Sequence, residues 1–113
     1  WQCNRYGIDP SQKLLDKAVL SDPEGKYKFA HAENLPFEDN SFDVVVSITA
    51  IQNFNNVKKG LEEINRVGKN KFVLTFLKKS QKKYLIEIII KNLFKIDEIL
   101  EEDKDMIFFC RKL

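Results

Sequence analysis

The sequence is poor in the residues that build metal sites and disulfide scaffolds: two cysteines and one histidine in 113 residues. Cys3 and Cys110 stand far apart, without CxxC or Cys/His spacing, so no metal site is expected and reduced thiols in a cytoplasmic setting are the default. Both lie in apolar, strand-like surroundings and read as small buried hydrophobes. Long apolar runs are missing too. Leu85 to Ile90 and Met106 to Cys110 are too short or interrupted to cross a membrane. No excess of one charge exists: 19 Lys and Arg against 17 Asp and Glu leave +2, which does not announce a nucleic-acid partner. Nothing at the start reads as a signal peptide, and the chain opens with Trp1 instead of Met, the mark of a processed or truncated piece.

What is present is 43% apolar, 12% aromatic and 32% charged residues, the composition of a folded domain. No repeat, linker or composition break divides the chain, so one domain over residues 1–113 is expected. Strand-like and helix-like segments alternate along it. Arg5 to Ile8 is a short apolar run closed by Asp9-Pro10-Ser11, after which Leu14, Leu15, Ala18 and Val19 recur at helical spacing. Asp22-Pro23-Glu24-Gly25 ends that pattern, and Tyr27 to His31 alternates as a strand does. A loop follows from Ala32 to Ser41. Phe42 to Ile48 is β-branched and nearly continuous, which predicts a strand buried on both faces.

Further on, Asn55 or Asn56 can cap a helix whose Val57, Leu61 and Ile64 share a face. Lys71 to Leu77 is β-rich. Gln81 to Asn92 reads as a helix with a broad stripe of Leu85, Ile86, Ile89, Ile90 and Leu93. Lys95 to Leu100 and Met106 to Lys112 read as a terminal β-hairpin, the first run having some helical character as well. This alternation predicts an α/β sheet with helices on both faces. Ligands of such sheets bind beyond the carboxyl ends of the strands, after Ile8, His31 and Ile48.

Asp9 sits in such a place. An acid there can accept hydrogen bonds from both ribose hydroxyls; an aspartate in Asp-Pro-Ser equally suits a turn or a helix cap. The surrounding segments bear on the choice. Glu33-Asn34-Leu35-Pro36-Phe37 with Asn40-Ser41-Phe42-Asp43-Val44-Val45 closely resembles the middle of class I S-adenosylmethionine-dependent methyltransferases, in the broad ubiquinone/menaquinone-type group. Gly7-Ile8-Asp9-Pro10-Ser11, with Leu15 and Ala18, looks like that family's second strand and following helix. Gly60 to Val67 looks like the helix before its fifth strand. Four pieces in register, from about residue 5 to residue 77, carry the resemblance.

The resemblance implies a Rossmann-like sheet with a C-terminal antiparallel hairpin, and S-adenosylmethionine as cofactor. It implies that Asp9 holds the ribose hydroxyls, that Ala32 and Glu33 line the adenine, and that Ser47 sits beside the methionine part. Leu35 to Phe37 would shape the nearby loop. Methyl transfer mainly needs an aligned nucleophile; Thr49, Gln52 and Asn53 are the polar residues placed to serve as a base, and all three equally suit loop and cap roles. No metal is implied.

Three features depart from the family pattern. His31 stands where an Asp usually pairs with the adenine amino group; it reads either as an acceptor or as a structural residue. The connection Val67-Gly68-Lys69-Asn70-Lys71 is shorter than usual. The first strand and its G-x-G-x-G loop are not in this chain, whose four glycines are Gly7, Gly25, Gly60 and Gly68. That strand would lie between Arg5–Ile8 and Phe42–Ile48, leaving two apolar edges to meet each other, to meet another chain, or to stay exposed.

The expected acceptor is a small molecule, with RNA second. Ser47 to Phe54 is faintly similar to ribosomal RNA guanine-N7 methyltransferases that act with a small zinc-binding activator protein, and Lys78, Lys79, Lys82 and Lys83 could contact phosphate or simply be solvated. The alternative is a non-catalytic binding or scaffold module of the same fold, with a homodimer as one form of it.

Overall fold

The computed structural model describes residues 6–9, 12–48 and 50–113. β1 (Tyr6–Asp9) and β2 (Lys26–Phe29) pair in parallel, with Tyr6 opposite Lys26 and Asp9 opposite Phe29. Parallel strands need a crossover, and α1 (Gln12–Ser21) supplies it, burying Leu15. A second, four-stranded sheet follows the loop. β3 (Phe42–Ser47) pairs in parallel with β4 (Gly68–Leu77), its crossover made of a short 3-10 helix, Ile51–Asn53, and α2 (Val57–Val67). α3 (Lys83–Leu93) then leads into the antiparallel hairpin of β5 (Phe94–Glu101) and β6 (Asp105–Lys112). The strand order is β3-β4-β6-β5.

α2 follows its spacing: Val57, Gly60, Leu61, Ile64 and Val67 are all buried. Of the two candidate caps Asn56 is the one used, its side chain accepting from the Lys59 N–H at 3.0 Å. α2 runs into β4 without a loop. Gly68 stands at the junction, where a Cβ would come within 2.3 Å of the Phe72 ring. The expected start of the strand at Lys71 therefore moves back to Gly68.

β4 turns Phe72, Leu74 and Phe76 toward one side of the sheet, and β6 adds Phe108 and Cys110. Against them pack Leu61 and Ile64 of α2 and Ile86 and Ile90 of α3, which share that face. Each such side chain contributes roughly 1.5–3 kcal/mol when fully buried. The apolar stripe of α3 is narrower than its sequence implied: Leu85 is half exposed, because only the side of Ile86 and Ile90 meets the sheet.

One expectation about β3 is corrected. It is not buried on both faces: Val45 packs toward the core, while Val44 and Val46 are each 52% exposed. Among the described residues β3 is the terminal strand of its sheet, and residues 44 and 46 point away from the helical layer. The two sheets share no strand pairing among the described residues. They meet instead through three rings, Tyr6 lying 5.3 Å from Phe42 and 5.6 Å from Phe37, with Phe37 and Phe42 4.9 Å apart. None of the described helices is long and apolar enough to cross a membrane.

Candidate functional site

The ring contacts hold the beginnings of β1 and β3 together, so the segments following β2 and β3 converge at the other end. They meet at Glu33, whose Oε2 accepts from the Asn56 N–H at 2.8 Å. His31, Glu33, Asn55 and Asn56 line an open cavity of about 260 Å³ at that meeting point. Half-buried Ala32 lies in the same segment as His31 and Glu33. His31 is exposed, its ring set edge-on against Phe29 with centroids 6.2 Å apart.

The Glu33 carboxyl is held below its usual value. Burial, the strongest single influence, pushes the group up, but the amides of Asn56, Glu33 itself and Asn55, with His31, outweigh it. Its oxygens are thus engaged with backbone at the entrance to α2.

Ser47 ends β3 opposite Leu74, half-buried, with its carbonyl accepting from Thr75 Oγ1 at 3.1 Å. Asp9 ends β1, where its backbone pairs with Phe29; its side chain, like Cys3, Pro10, Ser11 and Thr49, lies outside the described residues. Gln52 belongs to the 3-10 helix, and its Oε1 accepts from the Leu77 N–H at 3.4 Å. Asn53 is exposed in the same turn. The structure therefore brings Glu33 and His31 together with two asparagines that the sequence marked only as caps, while Ala32 lies between the first two in the chain.

The sequence reading also passed over Glu63 and Arg66. From α2 they reach the loop after Glu33: Glu63 Oε1 accepts from the Leu35 N–H at 2.9 Å, and Arg66 donates to the carbonyls of Leu35 at 3.0 Å and Phe37 at 2.7 Å. The available signal was a Glu and an Arg three residues apart, with Glu63 on the apolar side of α2. The lysine cluster is partly occupied: Lys78 lies 3.5 Å from Glu101, and Lys82 Nζ donates to the Phe54 carbonyl at 3.3 Å. Among the described residues no three His, Cys, Asp or Glu gather as a metal site.

Comparison with known proteins gives the geometry its context. The family described as "Methyltransferase domain" matches residues 1–76. A demethylmenaquinone methyltransferase of Thermotoga maritima is 37% identical over 71 residues, which are 63% of this chain and 31% of that protein. A ubiquinone/menaquinone biosynthesis C-methyltransferase of Campylobacter jejuni is 32% identical over 108 residues, 89% of this chain and 46% of its own length. The chain thus spans less than half the length of these two relatives. Among solved structures, a SAM-dependent methyltransferase from Aquifex aeolicus superposes with a TM-score of 0.79 at 15% identity, over 97% of this chain and 69% of that one. At that identity the likeness concerns the fold alone.

Proposed function

The chain belongs to the methyltransferase domain family, and on that basis we propose that it forms the adenosine-binding side of an S-adenosylmethionine-dependent methyltransferase acting on a small molecule of quinone-like chemistry. One observation carries this reading: the open cavity where His31 and Glu33, after β2, meet Asn55 and Asn56, after β3. Its position is the one where open parallel sheets take ligands. Adenine asks for an apolar slot with one or two edge hydrogen bonds. Exposed Asn55 and His31 line the cavity and offer side-chain partners to the edge of a base, and Ala32 stands between His31 and Glu33 in the same segment. The residues present fit the base.

In this reading Asp9 accepts hydrogen bonds from the ribose hydroxyls. Glu33 contributes through its backbone, because its carboxylate already accepts from Asn56. Ser47 lies at the methionine side, at the end of β3. Bound cofactor would supply a methyl group on a positively charged sulfur, and that sulfur, departing as a neutral thioether, needs no acid assistance. The protein's share is to align the acceptor and to keep water away. Gln52 is not assigned as a base, since its side-chain oxygen accepts from the Leu77 amide. The quinone-like acceptor rests on the named activity of the Thermotoga and Campylobacter relatives.

Titration calorimetry with S-adenosylhomocysteine tests the proposal. Saturable binding is expected, weakened about tenfold or more in Asp9→Ala, the effect of losing about 1.4 kcal/mol or more of interaction. No binding at millimolar ligand, or binding indifferent to Asp9→Ala, would overturn it.

A further inference from the structure

The loop from Ala32 to Ser41 has little apolar surface to bury. Its Pro36, Glu38, Asp39, Asn40 and Ser41 are exposed; Leu35 packs against the core and Phe37 against the Tyr6 and Phe42 rings. Such a segment is expected to be loose unless polar contacts fix it. Here they come from one helix. Arg66 Nε donates to Glu63 Oε2 at 2.6 Å, and its Nη2 donates to Glu63 Oε1 and to the Leu35 carbonyl, both at 3.0 Å. Its Nη1 donates to the Phe37 carbonyl at 2.7 Å and to Asp39 Oδ1 at 2.9 Å. Glu63 in turn accepts from the Leu35 N–H. The main chain closes the arrangement, with Asn40 N–H donating to the Arg66 carbonyl at 2.8 Å and Ser41 N–H to the Val67 carbonyl at 2.7 Å.

We propose that Glu63 and Arg66 are positioning residues: together they set the course of the loop after β2, and through it the place of Glu33 at the cavity. The adenine part of this rests on the function proposed above; the fixing of the loop does not.

Four considerations support it. A partly buried ion pair is seldom the most stabilising filling for its volume, so what it adds is a defined geometry. Glu63 keeps 9% of its side-chain surface exposed and Arg66 30%, which is costly unless the hydrogen-bonding groups are used, and here they are. The partners are also backbone carbonyls of residues 35 and 37, which a planar fork of donors can serve at once and a lysine cannot. Finally, α2 holds the segment at both of its own ends: the Asn56 amide takes Glu33 at the start, and Glu63 with Arg66 takes residues 35 to 39 near the finish. Leu35 is two residues from Glu33, so a shift at Leu35 is passed directly to the cavity wall.

The experiment compares Arg66→Lys and Asp39→Asn with the parent chain, by amide hydrogen exchange and by S-adenosylhomocysteine titration. Arg66→Lys keeps the charge and loses the fork. Expected are faster exchange at Leu35, Asn40 and Ser41, unchanged protection at Phe72 to Phe76 of β4, and affinity reduced about tenfold. Asp39→Asn leaves the Glu63 contacts and both loop carbonyl contacts in place and keeps an oxygen that can accept from Arg66 Nη1, so it is expected to bind as the parent does. Unchanged loop exchange in Arg66→Lys, or equal acceleration in loop and β4, overturns the proposal, the second outcome meaning a purely structural pair. A parent chain that binds no ligand would sink the adenosine reading, while the exchange data still decide whether the pair fixes the loop.

Discussion

Replacing Gly60 by alanine, the best helix former, should destabilise this protein. Gly60 is the fourth residue of α2, and in an exposed helix interior the change to alanine gains about 1 kcal/mol. Here the new Cβ would stand 2.4 Å from Phe54 Cδ2, 2.8 Å from Cε2 and 3.2 Å from Cγ. The ring has little freedom to yield. It packs against the core, its residue's N–H donates to the Ile51 carbonyl at 3.1 Å, and its carbonyl takes Lys82. Forcing a methyl into such packing costs roughly 1–3 kcal/mol, so the net loss is about 1 kcal/mol. In a Phe54→Ala background the obstruction is gone and the same substitution should gain about 1 kcal/mol. The coupling between the sites is therefore about 2 kcal/mol, well above the few tenths expected of independent positions. Urea unfolding followed by far-UV circular dichroism on the four proteins of the cycle measures it. If Gly60→Ala stabilises the parent as much as it stabilises the Phe54→Ala variant, the steric argument is wrong. The result also bears on the cavity, because Phe54 directly precedes Asn55 and Asn56.

Acid should loosen the loop before it unfolds the core. The Arg66 hydrogen bonds hold the Glu63 carboxyl below its ordinary value of 4.5, against burial, with the Leu35 amide helping; Glu33 is lowered as well. Carboxyls with depressed folded values add stability above the unfolded value, and that stability is lost as pH falls through the folded value. Stability measured by urea should therefore hold above about pH 5 and fall below about pH 4, and Glu63→Gln should flatten part of that fall; an unaltered profile in Glu63→Gln would count against the assignment. Cys110 is buried, and burial together with Asp97 pushes its thiol up to about 12. It should resist a disulfide reagent at pH 8 in the folded protein and react once urea unfolds it. Rapid labelling of Cys110 without urea would show that the β6 core is more open than the structure describes.

The site was legible only in part, and the division follows sequence distance. Ala32 and Glu33 lie together in a short segment, so a local resemblance was enough to mark them. Asn55 and Asn56 appeared as helix caps, which Asn56 is, yet their place in the cavity depends on how the two sheets are set side by side. Leu35 and Glu63 are 28 positions apart and Leu35 and Arg66 are 31, separations at which no periodicity speaks. Glu63 and Arg66 did carry a weak mark, a charge on the apolar side of an amphipathic helix. Read by itself, that mark says that a partner exists and not which one.

The fold was more readable, and its misreadings share one cause. Spacing reports which residues of a segment are alike; it does not report what stands beside the segment. Val44-Val45-Val46 reads identically in a central strand and in a terminal one, and the structure shows the terminal case, with Val45 inward and its neighbours half exposed. Leu85 belongs by spacing to the stripe of α3 and by geometry to its outer side. The mixed character of Lys95 to Leu100 has a local origin, a register shift between Ile96 and Glu98 that breaks the alternation of β5. Gly68-Lys69-Asn70 looked like a turn because glycine and asparagine usually make one. Here the glycine is needed for the opposite reason: the Phe72 ring packs where its side chain would be, which lets α2 pass straight into β4. That tight junction puts Arg66 and Val67 beside Asn40 and Ser41, where their carbonyls receive the end of the loop. The glycine that misled the reading of the strand is thus part of what brings α2 within reach of the cavity's wall.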